Sequence, residues 1–104
     1  MALRVKVCSI GDVAEGQLRA FRVEGVTWPV IVTSVDGELI ATPGVCPHED
    51  VALWNGWLEN GQLVCPGHGY EFDLRTGKCT HDPELELRRY RVTQIADEIW
   101  VDLL

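Results

Sequence analysis

Apolar and polar residues alternate with a period of two along much of this chain, and a 3.6-residue helical period is nearly missing. Arg4 to Ile10 alternates in this way, with Val5 and Val7 on one face. Leu18 to Glu24 offers Phe21 and Val23 to one side. Pro29 to Val35 is β-branched almost throughout, which predicts a central strand entered at Pro29. Asp36-Gly37 is the strongest hairpin signal, with Glu38 to Thr42 as the return strand. Gln62 to Val64 and Tyr70 to Leu74 read as short strands, while Leu85 to Ile95 and Glu98 to Leu103 read as a hairpin closed at Ala96-Asp97. Turns are expected at Gly11-Asp12, Glu15-Gly16, Pro43-Gly44, Glu59-Asn60-Gly61 and Arg75-Thr76-Gly77-Lys78, and one helical turn over Glu49 to Trp54. The pattern predicts an all-β fold, a sandwich or open barrel whose last strands pair with its first.

Composition narrows the function classes. A chain of 104 residues has room for one domain and one modest core. Its net charge of −7, with no sustained basic stripe, argues against nucleic acid as a partner. An acidic surface suits a carrier that docks briefly on positively charged faces. No apolar run reaches membrane-spanning length, and MALRVKVCSI has neither the apolar stretch nor the cleavage site of a secretory leader. A cytoplasmic protein without a membrane anchor is the expectation, and a reducing cytoplasm would keep Cys8 and Cys79 as thiols.

The chemistry concentrates in two short stretches. Cys46-Pro47-His48 is followed, after sixteen residues, by Cys65-Pro66-Gly67-His68. Two thiolates and two imidazoles, delivered as mixed pairs, could hold zinc or an iron–sulfur centre. A zinc-stabilised binding module using these four ligands is therefore one reading. A second C-x-H, Cys79-Thr80-His81, could join Cys65 and His68 in a rival zinc set, but would leave the first pair idle. Zinc fingers usually deliver Cys-Cys first and His-His later. In a Rieske [2Fe–2S] centre one iron carries two Cys and the other two His, so each loop sends its Cys to one iron and its His to the other. The repeated mixed pair therefore favours iron. Thiolates bind as anions and belong on the buried iron, while neutral imidazoles favour the ferrous state at the outer one.

The run CPHEDVALWNGWLENGQLVCPGHGYEFDLRTGK, including Leu53, Gly56, Gly61 and Phe72-Asp73, resembles the cluster-binding segment of Rieske-type [2Fe–2S] ferredoxins, the electron-transfer components of multicomponent aromatic-ring oxygenases. The resemblance implies the Rieske fold: three antiparallel β-sheets over a single domain, 1–104, with a small cluster-binding subdomain at about 44–83 inserted in a larger sandwich-like or barrel-like body. It implies one [2Fe–2S] cluster held by Cys46, His48, Cys65 and His68, and no catalytic residue. The implied role is a monomeric one-electron carrier between an NAD(P)H-dependent reductase and a terminal oxygenase, mononuclear-iron or di-iron. A small subunit of a larger reductase is the other reading within this fold, and the presence of all four ligands counts against it.

The resemblance also sets expectations for neighbouring residues. High-potential relatives carry a Ser two residues after the second ligand His and a Tyr two residues beyond that. Tyr70 and Phe72 occupy those places here, which implies a low potential. The paired extra cysteines that brace the loops of respiratory relatives are absent. Gly44, Gly67 and Gly69 are expected to turn amides toward the cluster as an anion nest, and Pro83 to lie on a third loop covering it. Glu49, Asp50 and Glu71 would give the site a negative rim. Trp57 is expected to be exposed, Trp28 and Trp100 to pack, Cys79 to be a small buried thiol, His81 an exposed loop residue, and Arg88, Arg89 and Arg91 a solvated face.

Overall fold

A computed structural model describes residues 3–48, 50–67 and 69–103. Among the described residues nine strands run in chain order: β1 Arg4–Ser9, β2 Arg19–Phe21, β3 Val30–Val35, β4 Glu38–Pro43, β5 Trp57–Glu59, β6 Gln62–Val64, β7 Glu71–Asp73, β8 Arg91–Ile95 and β9 Glu98–Asp102. They form three antiparallel three-stranded sheets, ordered β1-β9-β8, β2-β3-β4 and β5-β6-β7.

The middle sheet explains why β3 reads as an unbroken apolar run. Val30 and Val32 face a core shared with Cys8, Ile99 and Val101 of the terminal sheet. Ile31 and Val35 face a second core shared with Leu53, Leu63 and Phe72. A strand covered on both sides loses the polar alternation of a half-buried one. β4 repeats the arrangement, with Ile40 toward one core and Ala41 toward the other. Thr33, also buried, donates its hydroxyl to the Gln17 carbonyl at 2.7 Å, so its polar atom is satisfied inside this layer.

Turn chemistry fixes the registers. Asp36 and Gly37 both have positive φ, at 53° and 80°, as do Asn60 and Gly61, at 52° and 78°. Two successive left-handed residues make the tight turn that matches strand twist, and Asp-Gly and Asn-Gly are its favoured dipeptides. Glu15 holds the first turn from outside: its carboxylate accepts from the Ser34 hydroxyl and from the amides of Asp36 and Gly37 at 2.6–3.1 Å. Arg75, in the turn after β7, pairs with Asp36, and Arg89 reaches both Glu38 and the Arg75 carbonyl. The small sheet is thus tied to the middle one at the end remote from its ligand loops.

Several expectations are corrected in detail. The strand expected over Leu18 to Glu24 shortens to Arg19–Phe21. Leu85 to Tyr90 is not part of β8; it runs between the segment after β7 and β4, making single bridges, Lys78 with Glu86 and Ala41 with Tyr90. β5 has no counterpart among the expected strands. The helical turn is confined to a 3-10 turn at Leu53–Asn55, and Ile10–Asp12 forms another where a plain loop was expected. β9 pairs with β1, as expected, through a bulge between Lys6 and Cys8 that turns the Cys8 side chain into the core.

Glu15 carries a pH signature. The Ser34 hydroxyl, then the Gly37 and Asp36 amides, hold its carboxyl below the usual range. A depressed folded value means stability that is full above the unfolded glutamate range, about pH 4.3, and fades as pH falls through the lower folded value. Glu15→Gln should therefore lower Tm near neutrality, with the two melting curves keeping their separation down to about pH 5 and converging only as pH falls through about 4.3 and below; parallel curves through that range would remove Glu15 from this role. A second expectation concerns Gly56, where a Cβ would lie 2.0 Å from the Val64 carbonyl oxygen. Gly56→Ala should cost about 1–3 kcal/mol by denaturant unfolding. Gly11→Ala, whose Cβ meets nothing within 4 Å, is the control.

Candidate metal centre

One loop joins β4 of the middle sheet to β5 and the other joins β6 to β7, and each is closed by its own cysteine. The Cys46 amide donates to the carbonyl of Val51 at 3.0 Å, and the Cys65 amide to the carbonyl of Tyr70 at 2.8 Å. Each cysteine therefore reaches the residue five positions ahead, although the histidines stand at different spacings. The first loop is anchored further by a bridge between Val45 and Ala52, by Leu53 N–H to the Gly44 carbonyl at 2.9 Å, and by the wholly buried Leu53 side chain. The second grows out of the β6–β7 pair, whose last register position joins Val64 to Glu71. Gly69 bonds back to the Cys65 carbonyl at 3.0 Å with φ +72°, a left-handed conformation suited to glycine.

Gly44 corrects the nest expectation. Its amide is engaged by the Pro29 carbonyl at 2.8 Å, and a Cβ there would lie 2.6 Å from that oxygen and 3.0 Å from the Trp54 ring. Glycine stands at 44 for close packing. The Gly69 amide is likewise engaged in loop closure, so it too serves the backbone.

Burial is graded across the site. Cys46 is 2% exposed and Cys65 0%, both in the apolar core with Leu53, Leu63 and Phe72. His48 is half-buried, and Pro47, Asp50, Pro66 and Gly67 are exposed. The His48 ring stacks on Tyr70 with centroids 4.2 Å apart and planes 29° apart. His68, the fourth ligand expected, and Glu49 of the expected rim lie outside the described residues.

The rival zinc pair diverges. Cys79 is buried beside β7, bridged to Phe72 and inside the apolar core. His81 is exposed, with Nε2 3.4 Å from a Glu71 carboxylate oxygen, and it stacks on Tyr70 at 5.4 Å. Pro83 is exposed, as is Trp57, whose indole donates to Glu59 at 3.2 Å. Cys8 belongs to the other core, where burial, ahead of the nearby Asp12 charge, pushes its thiol up to about 11 and leaves it chemically quiet. The Tyr70–His81 contact has no signal in the sequence; the residues are eleven positions apart with no periodicity linking them.

The donor set fits an iron–sulfur centre. Two sulfurs sunk in an apolar core cannot ionise cheaply without a cation beside them, whereas an imidazole at a half-exposed edge costs little. That asymmetry, with both sulfurs inside and the His48 ring half-buried nearer the surface, suits a [2Fe–2S] centre with two Cys on one iron and two His on the other.

Comparison with known proteins agrees. Residues 4–91 match the family model of the Rieske [2Fe-2S] domain. The chain is 41% identical to the ferredoxin component of biphenyl 2,3-dioxygenase from Rhodococcus jostii (strain RHA1), over 99% of this chain and 94% of that one. The ferredoxin of Sphingomonas yanoikuyae B1 superposes with a TM-score of 0.86 at 27% identity, covering 98% of this chain and 100% of that one. The ferredoxin in the complex of reduced oxygenase and oxidized ferredoxin of carbazole 1,9a-dioxygenase superposes with a TM-score of 0.83 at 28% identity, over 95% and 92%. A Rieske-type [2Fe–2S] cluster is accordingly the cofactor of this chain, which belongs to the Rieske [2Fe-2S] domain family.

Proposed function

We propose that this protein is the ferredoxin component of an aromatic-ring oxygenase system, a one-electron carrier and not an enzyme in its own right. The observation that carries the reading is the burial gradient at the two loops, together with the kinship to dioxygenase ferredoxins. Cys46 and Cys65 hold the inner iron, and His48 and His68 the outer one. The cluster supplies reversible one-electron chemistry at potentials set by its ligands and surroundings. The chain's own residues do the rest. The apolar core around Cys46 and Cys65 keeps water from the sulfurs, and the edge bearing His48 meets the partner. Two clefts, of about 360 and 390 Å³, flank Glu15 near the Asp36–Gly37 turn, and neither is lined by a ligand-loop residue. A carrier needs no substrate cavity at its redox centre.

The partners follow from the reading. The terminal oxygenase takes the electron, as the carbazole 1,9a-dioxygenase complex illustrates for a relative. An NAD(P)H-dependent reductase supplies it. Both dock briefly, so a monomer with a small contact area and fast exchange suits the role. No helix among the described residues is long and apolar enough to cross a membrane, and the cytoplasm, where such reductases have their nicotinamide, is the setting proposed. One domain with its cluster-binding subdomain at about 44–83 is sufficient for this task.

The potential should be low. Phe72 is wholly buried and has no hydroxyl to donate to sulfur, so an anionic reduced centre gains no stabilisation from that side. Titration should place the midpoint near the lower end of the roughly −150 to +300 mV Rieske range; a midpoint above zero would contradict this. The functional reading itself is tested by purification and turnover. The protein should be brown-red, bleach on dithionite, contain iron and acid-labile sulfide, and support NAD(P)H-driven turnover by a terminal oxygenase. Colourless protein containing zinc, or reduced protein unable to pass its electron to any terminal oxygenase offered, would overturn it.

A further inference from the structure

Among the described residues, three loops at the site each contribute one ring to a single stack. His48 comes from the first ligand loop, Tyr70 from the end of the second, and His81 from the segment after β7. The His48 and Tyr70 centroids are 4.2 Å apart, those of Tyr70 and His81 are 5.4 Å apart, and the interplanar angles are 29° and 24°. Tyr70 is common to both contacts. Its main chain is held by the Cys65 amide at 2.8 Å, so its ring is carried by the closure of the second loop. His81 is placed by three separate contacts. Thr80 N–H donates to the Glu71 carbonyl at 2.9 Å, Cys79 bridges Phe72, and the His81 Nε2 lies 3.4 Å from the Glu71 carboxylate.

A ligand imidazole is ordinarily oriented by what its second nitrogen bonds. In a carrier, that edge of the ring belongs at the rim, where successive partners meet it. Contact with the ring face can fix the imidazole plane and leave the edge accessible. Tyrosine suits this task, being broad, flat and limited to two side-chain torsions.

We infer that Tyr70 is a positioning residue for His48, buttressed by His81, so that the three-ring stack sets the plane of the His48 imidazole. The inference rests on His48 being a cluster ligand, as proposed above. Orientation of the ring governs how iron spin reaches the imidazole nitrogen, so its spread is readable by pulsed EPR of the dithionite-reduced holoprotein.

Wild-type protein should show two histidine nitrogen couplings. Their absence would defeat the ligand assignment itself and is scored before any variant is compared. In Tyr70→Leu the distribution of the His48 coupling should widen about twofold, since that ring has lost its support. Tyr70→Phe, which keeps the ring, should retain the wild-type width. Because His81 is exposed, His81→Ala leaves the core intact and carries the test if Tyr70→Leu fails to assemble a cluster. It should widen the same coupling, and His81→Phe should restore it. Wild-type widths in His81→Ala, or in a cluster-loaded Tyr70→Leu, would overturn the inference. Equal widening in Tyr70→Phe would assign the effect to the hydroxyl and overturn it as well.

Discussion

Two sulfur atoms enclosed by leucine, isoleucine and phenylalanine can exist as thiolates only with compensating positive charge at their side. Cys46 and Cys65 are placed for that condition on the β4–β5 and β6–β7 loops, each fixed through its own amide to a carbonyl five residues on. The rest of the molecule serves this arrangement. β6 and β7 hold the second loop, and Leu53 plugs the base of the first. The short contact that only Gly56 permits brings the two bases together, since any side chain there would strike the Val64 carbonyl.

The middle sheet turns this local arrangement into a stable one. Because β3 and β4 have a core on each face, the small sheet packs onto a layer already anchored by the terminal strands. The ion pairs Arg75–Asp36 and Arg89–Glu38 lie on exposed surface, where such pairs contribute little. Apolar burial outweighs them, since wholly buried residues such as Phe72 contribute about 1.5–3 kcal/mol each. The polar braces instead choose one relative placement of the two sheets among several that apolar contact alone would allow.

Much of this was legible in the sequence, and the limits have physical causes. β3 and its Asp-Gly turn were readable because composition, length and turn chemistry agreed. The two Cys/His loops were readable as candidate ligand loops because metal ligation needs particular side chains at fixed spacing. β5 was hidden: Trp57–Glu59 is three residues after a glycine, with Leu58 its one inward apolar residue, and it is a strand because β6 pairs with it. Leu85 to Tyr90 failed in the opposite way. Leu87 is buried, so the stretch alternates, yet it makes its bridges one residue at a time. Alternation reports sidedness and not a ladder. The glycines misled at Gly44, where the signal for close packing is the same residue type as the signal for an anion nest.

The ring stack illustrates a more general limit. Contacts between His48, Tyr70 and His81 depend on three loops arriving together, and no local rule encodes that meeting. Such contacts are nonetheless where relatives with one ligand set can differ. The candidate ligands and the loop closures would determine that an electron can be held. Rings stacked on His48 would set how sharply it is oriented, and the acidic residues Asp50 and Glu71 would shape the field a partner feels on approach. Candidate ligands are written in the sequence as a spaced motif, while ring support depends on which loops meet in space, and the second is what pattern reading recovers least.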